Sequence, residues 1–293
     1  MKNILIMGAN GQLGREIETR IDRYPEFRFF FTDIDTLDLL NKEQIADFVC
    51  RNDIRYMVNC AAYTAVDRAE EEREAAYRVN EEAVKNISEV ISDRTKLIHL
   101  STDYVFDGTA NVPYRETDPV NPQSIYGKSK RAGEEVLLAN NPDNSMIIRT
   151  AWLYSRFGNN FVKTMLRLAR EKEVVRVVDD QMGSPTSGND LAGALLEILS
   201  FCNKNDCFPR GIYHYSNEGS CSWCEFAWKI YEYAGIDTRK VEPIPASEYP
   251  TKAQRPAFSV LDKTKIKNTF GLRIPFWDES LKSMLAEGFD FNT

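Results

Sequence analysis

Short apolar runs alternate with segments of helical periodicity over the first two-thirds of the chain. The strand-like runs are rich in β-branched and aromatic residues and are bounded by turn residues: Ile4–Met7, Phe27–Thr32, Tyr56–Cys60, Leu97–Ser101, Met146–Arg149 and Val174–Val178. Stretches with helical spacing lie between them: Glu43–Cys50, Ala75–Ile91 and Lys130–Ala139. This alternation predicts an α/β fold with a Rossmann-type, doubly wound parallel sheet that helices cover on both faces.

The alternation becomes less regular beyond residue 150. Four further segments are helical, strand-like or amphipathic: Phe161–Arg170, Asp190–Leu199, Gly211–Tyr215 and Trp223–Ala234. A proline-rich stretch follows them. We therefore predict a Rossmann dinucleotide-binding domain over residues 1–150 and roughly 172–205, with a smaller α/β substrate-binding lobe over roughly 151–171 and 206–293.

Composition restricts the classes of partner. The chain has 293 residues, of which 43% are hydrophobic and 28% charged, the balance of a soluble globular protein. Its net charge of −7 offers no general attraction for nucleic acid or an anionic membrane. No apolar run approaches the ~20 residues that span a bilayer, and the start lacks a signal-peptide pattern. Six scattered cysteines suggest no disulfide framework, so we expect a reduced, cytoplasmic protein.

A glycine-rich loop follows the first predicted strand. Gly8, Gly11 and Gly14 are spaced Gly-x-x-Gly-x-x-Gly and open a helical segment. Such glycines permit a tight turn, let the backbone approach a pyrophosphate, and seat it at a helix N-terminus. Asp33 closes the second predicted strand, where an acid commonly holds the adenosine ribose hydroxyls and repels a 2′-phosphate. The loop predicts a dinucleotide site for NADH or NADPH, with NADH favoured.

Tyr126 and Lys130 stand four residues apart and would share one face of a helix. Reduction of a carbonyl needs a proton donor, and a phenol serves better if a neighbouring ammonium lowers its pKa from about 10. With thirteen tyrosines, one Tyr-x-x-x-Lys could arise by chance. Thr102, however, ends the fourth predicted strand, at the edge where open α/β sheets bind ligands. We expect its hydroxyl to orient the carbonyl toward Tyr126.

Longer motifs give the chain a resemblance that covers almost its whole length. They are Gly8–Gly14, Val58–Asp67, Ser101–Gly108, Tyr126–Lys130, Arg149–Tyr154, Gly158–Phe161, Asp180–Thr186 and Arg255–Pro256. On these residues the chain resembles the extended short-chain dehydrogenase/reductases and, within them, the dTDP-4-dehydrorhamnose reductase family. The resemblance implies that the C4 ketone of dTDP-4-dehydro-L-rhamnose is the substrate, reduced by hydride from the nicotinamide.

The resemblance also assigns roles by position. It makes Tyr126 the proton donor, Lys130 its activator and a ribose ligand, and Thr102 the carbonyl-orienting group. The residues implied to line the cofactor are Gly8, Gly11, Gln12, Leu13, Gly14, Asp33, Asp38, Leu39, Ala62, Tyr63, Thr64, Leu100, Tyr126 and Lys130. Those implied to contact the sugar nucleotide are Thr102, Asp103 and Trp152, and Arg255 is a candidate diphosphate clamp or an ordinary surface arginine.

Some family members are joined as dimers through a magnesium ion held by acidic residues. Here Glu16 could contribute, but Asn189 stands near the place of a second acid. We therefore expect no metal ligands and leave open a monomer or a homodimer.

Three other functions compete with a reductase. A nucleotide-sugar dehydratase would need a glutamate where Tyr104 stands, so that function is disfavoured. A nucleotide-sugar epimerase would share the tyrosine and lysine but retain bound NAD. A non-catalytic regulatory subunit, like that of methionine adenosyltransferase, would share the fold, although intact Thr102, Tyr126 and Lys130 argue against it.

Several conspicuous residues have simpler structural interpretations. Cys221 and Cys224 have Cys-x-x-Cys spacing, but no second pair stands at ligand spacing, so we expect them to pack in the core. His99 and His214 lie within strand-like runs and are expected to be buried. The acidic run Glu70–Glu72 is expected to form a solvated face near a helix start.

Overall fold

The computed structural model describes residues 1–286. The strands are β1 Lys2–Met7, β2 Phe27–Thr32, β3 Ile54–Asn59, β4 Lys96–Thr102, β5 Ser145–Thr150, β6 Leu153–Tyr154, β7 Val175–Val178, β8 Met182–Gly183, β9 Thr186–Ser187, β10 Gly211–His214, β11 Cys221–Ser222 and β12 Val241–Ile244. The α-helices are α1 Gln12–Glu18, α2 Lys42–Arg51, α3 Val66–Ala69, α4 Arg73–Tyr77, α5 Ala83–Val90, α6 Ile125–Asn140, α7 Phe161–Glu171, α8 Gly188–Asn205, α9 Trp223–Tyr233, α10 Thr264–Phe270 and α11 Trp277–Ala286. A π-helical segment, Arg78–Glu82, joins α4 to α5.

A six-stranded sheet forms the centre, in the order β10-β5-β4-β3-β1-β2. All its strand pairs are parallel. The chain winds outward from β1 in one direction to β2 and in the other through β3, β4 and β5. The carboxyl ends of β1 and β3 therefore form the switch point at which doubly wound sheets bind ligands, and the predicted α/β fold is confirmed.

Alternate residues of β1 point to opposite faces of the sheet, and both faces are buried. Ile4 and Ile6 belong to a core that includes residues of α1 and α8, whereas Leu5 and Met7 belong to one that includes residues of α2, α5 and α6. Strands buried on both faces read as continuous apolar runs, which is why the sequence shows their positions so clearly.

A smaller lobe faces the carboxyl edge of the sheet. Its core brings together apolar residues of α7, α9 and α11 with β7 and β12, which pair in parallel. Short strand pairs connect it to the rest: β6 with β9 in parallel and β8 with β11 antiparallel.

Two strands pair differently from the expected division of the chain. Gly211–His214, expected in the lobe, pairs with β5 at the edge of the central sheet, because Tyr213 packs in the same core as Met146 and Ile148. Val175–Val178, expected with the Rossmann domain, pairs with β12 because Val175 and Val177 pack in the lobe core.

Among the described residues, no helix combines the length and the apolar character that crossing a membrane requires.

Candidate active site

The glycine loop packs against the segment that follows β3. Gly8 has a φ of +75°, and a Cβ there would lie 2.6 Å from the backbone nitrogen of Ala61. A Cβ on Gly14 would lie 2.6 Å from Cα of Ala9, so both positions need glycine. The loop leads into α1, whose first residues are Gln12 and Leu13. The sequence-predicted pyrophosphate loop therefore lies at the switch point of the sheet.

Asp33 connects the end of β2 to this loop. Its carboxylate accepts hydrogen bonds from the backbone N–H of Asn10 at 2.9 Å and of Ile34 at 2.8 Å. Asp38 and Leu39 lie farther along the same segment, where the Asp38 carboxylate accepts from the N–H of Leu40 at 2.9 Å. Asp33 thus lies beside the loop at the carboxyl edge of β2, and Asp38 and Leu39 follow it along the chain.

The segment after β3 carries Ala62, Tyr63 and Thr64, and Asn80 holds it in place. The Asn80 amide accepts from the N–H of Tyr63 at 2.9 Å and donates to its carbonyl at 3.1 Å. It also donates to the Ser129 hydroxyl at 2.9 Å, which donates in turn to the Tyr126 carbonyl at 2.8 Å. Asn80, in the π-helical segment, therefore joins the predicted cofactor segment to α6, a role that the sequence interpretation missed.

Thr102 and Tyr126 meet where β4 ends and α6 begins. The buried Thr102 hydroxyl donates to the Asp103 carboxylate at 3.0 Å and accepts from the Tyr104 N–H at 3.2 Å. The Tyr126 ring lies edge-to-face on Tyr104, with centroids 5.5 Å apart. Close approach of α6 depends on Gly127, where a Cβ would lie 2.2 Å from the Tyr104 carbonyl oxygen.

The acidic run Glu70–Glu72, which precedes α4, differs from the expected solvated face. The Glu70 carboxylate accepts from the N–H of Ile125 at 2.8 Å and so caps the first turn of α6. Glu72 accepts from the Tyr63 hydroxyl at 2.6 Å. Only Glu71 of the three is exposed. The Glu70 carboxylate and its partner are 55 residues apart, which explains why charge patterning did not reveal this cap.

Lys130 is buried one turn beyond Tyr126, and its Nζ donates to the Leu100 carbonyl at 2.7 Å. Burial lowers the pKa of Lys130 to about 8 because it disfavours the charged form, although Glu134 opposes the shift. Burial also raises the pKa of Tyr126, and hydrogen bonding with Thr102 opposes that increase. The phenol pKa therefore lies above its usual value and not below it as expected, because desolvation of the phenolate is the largest effect.

Asp103 is fully buried beside the predicted catalytic residues. Burial raises its pKa to about 6, against the hydroxyls of Ser259 and Thr102, which stabilise the carboxylate. Tyr104 follows it, and burial raises the pKa of that phenol to about 12. One carboxylic group of perturbed pKa therefore lies next to Thr102, with a phenol where a dehydratase would need a second acid.

The lobe contributes Trp152 to the other side of the site. Its indole stacks on Trp223 with centroids 3.5 Å apart and an interplanar angle of 11°. Trp152 has a φ of +47°, and a Cβ on Gly183 would lie 2.4 Å from its ring. The aromatic pair and the glycine thus fix the position of the predicted substrate residue, and Trp223 is the partner that sequence alone did not identify.

Arg255 lies at the mouth of the site rather than free on the surface. Its guanidinium pairs with the Asp67 carboxylate at 2.6 Å and donates to the Tyr104 hydroxyl at 3.3 Å. Asp67 also accepts from the N–H of Ala253 at 3.1 Å. These contacts hold the proline-rich segment of the lobe against the residues that follow β3.

Four residues interpreted as structural are in the core. His99 and His214 are buried, with Nδ1 of His99 3.2 Å from the Asn59 amide nitrogen and Nδ1 of His214 3.1 Å from the Tyr114 carbonyl. Cys221 and Cys224 are buried free thiols. No cluster of three or more potential metal ligands occurs within residues 1–286.

Glu16, the candidate magnesium ligand of the sequence analysis, is engaged by neighbouring side chains. Its carboxylate accepts from the Ser155 hydroxyl at 2.6 Å and lies 3.9 Å from the guanidinium of Arg156. Asn189 accepts from the Arg20 guanidinium at 2.8 Å. Asp190 and Glu279 line the same cavity as Glu16 and Arg156.

Comparison with known proteins agrees with this geometry. The dTDP-4-dehydrorhamnose reductase of Aggregatibacter actinomycetemcomitans is 40% identical over 293 residues, covering 98% of this chain and 99% of that protein. A crystal structure of a dTDP-4-dehydrorhamnose reductase from Clostridium acetobutylicum has a TM-score of 0.89 and 42% identity, covering 97% of this chain and 99% of that chain. The Bacillus anthracis dTDP-4-dehydrorhamnose reductase, solved in complex with NADP, has a TM-score of 0.91 and 38% identity, covering 98% and 100%. The RmlD substrate binding domain family matches residues 1–289, and the chain belongs to that family.

Proposed function

We propose that this chain is an NAD(P)H-dependent reductase that converts the C4 ketone of dTDP-4-dehydro-L-rhamnose to dTDP-L-rhamnose. The product would serve polysaccharide synthesis in the cytoplasm. The observation that carries the proposal is the meeting of Thr102, Tyr126 and Lys130 at the carboxyl edge of the sheet, beside the glycine loop. The full-length similarity to named reductases supports the same substrate.

Each of the three residues has a defined task in this reduction. The reduced nicotinamide, when bound, supplies the hydride to the substrate carbon. The Thr102 hydroxyl would exchange its hydrogen bond to Asp103 for one to the carbonyl oxygen and so orient the carbonyl. The Tyr126 phenol transfers its proton to that oxygen as negative charge develops there. Lys130 holds a positive charge beneath the site, which favours the phenolate left on Tyr126. One hydride and one proton complete the alcohol.

The substrate would lie between the sheet edge and the lobe. Trp152 offers an aromatic face to the sugar nucleotide, and Asp103 lies beside the group that orients its carbonyl. Arg255 is placed at the mouth of the site, where its guanidinium would bind the diphosphate by exchanging part of its contact with Asp67.

We propose NADH as the preferred cofactor. The Asp33 carboxylate caps the glycine loop through Asn10, and Asp35 and Asp38 follow it, so a 2′-phosphate would meet negative charge. The nearby Arg51 pairs with Asp47 at 2.6 Å. Since the Bacillus anthracis relative was solved with NADP, both cofactors must be compared directly. A higher kcat/KM with NADPH would contradict the preference and leave the reductase function intact.

The decisive assay offers dTDP-4-dehydro-L-rhamnose to the purified protein with NADH and follows cofactor oxidation and product. Stoichiometric NADH oxidation with formation of dTDP-L-rhamnose is expected. An epimerase would convert the sugar without consuming NADH and would retain NAD. A regulatory subunit would bind the cofactor and turn over no sugar nucleotide. Turnover of a different nucleotide ketose would overturn the substrate and retain the reaction type.

A further inference from the structure

A line of polar residues runs along the face of α6 that packs on the sheet. Tyr126, Lys130 and Glu134 are spaced four residues apart, so they lie one above another on this face. Lys130 is 2% exposed and Glu134 is 0% exposed. The first two belong to the proposed chemistry, on which this inference depends, whereas Glu134 has no part in it so far.

Glu134 forms a two-pronged ion pair with Arg149 on β5. Nε of Arg149 donates to one carboxylate oxygen at 2.8 Å, and Nη2 donates to the other at 2.7 Å. Arg149 is 1% exposed, and its guanidinium lies 5.1 Å from the centre of the Phe106 ring. Arg131 donates to the same carboxylate at 3.0 Å from the helix side. The carboxylate therefore joins helix and sheet through directional hydrogen bonds without contact with water.

The ion pair lies directly behind the reacting residues. In the pairing of β4 with β5, Arg149 is opposite Ser101, and Thr150 is opposite Thr102. Lys130 contacts β4 through the Leu100 carbonyl at 2.7 Å. Two polar contacts, one to each strand, thus fix α6 along and across the sheet. A helix held only by apolar side chains would be free to slide by small amounts, because apolar packing is not directional.

A buried ion pair contributes little net free energy to the packing of a helix on a sheet. Desolvation of the two charges offsets most of their attraction, and apolar residues of similar volume often stabilise as well. The value of the pair lies instead in geometry, since a fork of two hydrogen bonds fixes both distance and angle. We propose that Glu134 and Arg149 are positioning residues, which hold Tyr126 and Lys130 in register with Thr102 for reduction.

Glu134 also acts on the charge of Lys130. The titratable groups that interact with Lys130 are the Cys60 thiol after β3, the His99 ring on β4, and Glu134 on its own helix. Burial raises the pKa of Cys60 to about 12 and lowers that of His99 well below its usual value, so both are neutral near pH 7. Glu134 supplies negative charge that keeps the pKa of Lys130 from falling below about 8. Removing that charge lowers the lysine pKa further.

The test compares Glu134→Gln with Glu135→Gln. Both replace a carboxylate by an amide on α6, but the Glu135 side chain is 61% exposed and pairs only with Arg131 among the described contacts. With the proposed substrate and NADH, we expect Glu134→Gln to lower kcat at least tenfold. We also expect the loss of activity at high pH to begin at a lower pH in Glu134→Gln, while Glu135→Gln retains the wild-type profile.

Two further variants separate positioning from folding. Glu134→Leu combined with Arg149→Met removes both charges of the buried pair, and Arg131 keeps its contact with Glu135, so the protein should still fold. It should lose activity, and its loss of activity at high pH should begin at a lower pH, as in Glu134→Gln. Glu134→Asp keeps the negative charge on a shorter side chain. In this variant kcat should fall, and the loss of activity at high pH should begin at the same pH as in the wild type. Affinity for NADH across pH, measured by fluorescence, gives a readout without turnover.

The outcomes distinguish this inference from the function beneath it. Wild-type activity with unchanged kcat and pH profile in folded Glu134→Gln would overturn the positioning role and retain the reductase. The positioning role would also be overturned by a second outcome in the double variant Glu134→Leu with Arg149→Met. In that outcome kcat falls only together with the melting temperature, and the loss of activity at high pH begins at the same pH as in the wild type. No turnover by the wild type would overturn the proposed function, and the pH dependence of NADH affinity would then decide the effect of Glu134 on Lys130.

Discussion

The residues of the sheet edge and those of the lobe that faces it are held in place by different kinds of interaction. At the edge, buried polar groups fix one another through short hydrogen bonds, as between Lys130 and the Leu100 carbonyl at 2.7 Å. In the lobe, rings supply the contacts: Trp152 stacks on Trp223, and Phe161 stacks on Phe226 with centroids 5.5 Å apart. Hydrogen bonds fix distance and angle, whereas stacked rings tolerate displacement. Changes at the edge should therefore affect kcat, and changes in the lobe should affect KM.

The largest effect is expected at Tyr126. Tyr126→Phe removes the proposed proton donor and keeps the ring against Tyr104. General acid catalysis contributes about 10²–10⁴-fold, so kcat should fall by that factor with little change in KM. Steady-state kinetics with NADH measure it, and binding of NADH to the variant controls for folding. Retention of more than a tenth of the activity would remove Tyr126 from its role.

Gly127 tests how closely α6 must approach the sheet edge. Alanine normally favours a helix by about 1 kcal/mol over glycine, but here its Cβ would lie 2.2 Å from the Tyr104 carbonyl oxygen. Gly127→Ala should therefore lose about 1–3 kcal/mol of unfolding free energy in urea, and kcat should fall about tenfold as α6 shifts.

Gly235 in the lobe gives the matched control. It has a φ of +68° with no neighbour within 4 Å of an added Cβ, so alanine there brings backbone strain without a clash. Gly235→Ala should lose about 1–2 kcal/mol of stability and leave kcat unchanged. Equal losses of kcat in the two variants would contradict the distinction between edge and lobe.

His214 gives the sheet edge a pH dependence. Burial lowers its pKa to about 3, whereas an unfolded chain titrates near about 6.5. Between these values the unfolded state binds the extra proton, so stability is full above about pH 6.5 and falls with decreasing pH by about 1.4 kcal/mol per unit. Between pH 7 and pH 5, the wild type should lose about 2 kcal/mol more than His214→Asn in urea unfolding. Equal losses would contradict the burial of a neutral ring.

The smallest effect is expected in the lobe. Trp223→Leu removes the stack beneath Trp152, so KM for the sugar nucleotide should rise about 5–10-fold while kcat stays within about twofold. Trp228→Leu is the control, since that indole lies on the same helix and donates to the Val241 carbonyl at 3.2 Å. A larger change in kcat than in KM for Trp223→Leu would show that the lobe also fixes the reacting geometry.

The sequence predicted the edge better than the lobe for a physical reason. Strands buried on both faces are apolar throughout, so their ends are visible, and Thr102 could be placed at one of them. Asn80 and Glu134 escaped notice because their partners, Tyr63 and Arg149, are distant in the chain. A possible signal was present at Arg149, where a charged residue closes an otherwise apolar run.

Local sequence pattern also failed to predict two other features, the pairing of β10 and the environment of Lys130. β10 pairs with β5 although residues 151–210 lie between them, and local pattern does not encode such a pairing. The position of the Lys130 ammonium depends on its hydrogen bond to the Leu100 carbonyl, and its pKa depends on desolvation. Helical spacing determines neither of these. Spacing placed Tyr126 and Lys130 on one face of a helix but did not determine how each is solvated.

The return of the chain to the sheet as β10 has a mechanical consequence. After β5 the chain enters the lobe, comes back in α8 and β10, enters the lobe again, and comes back in α10, whose Ile266 packs in the sheet core. Two bodies joined by a single tether can swing freely, whereas several chain crossings restrict their relative motion to a small rotation. We therefore expect the cleft to open by a small hinge rotation of the lobe, during which the residues at the sheet edge move very little.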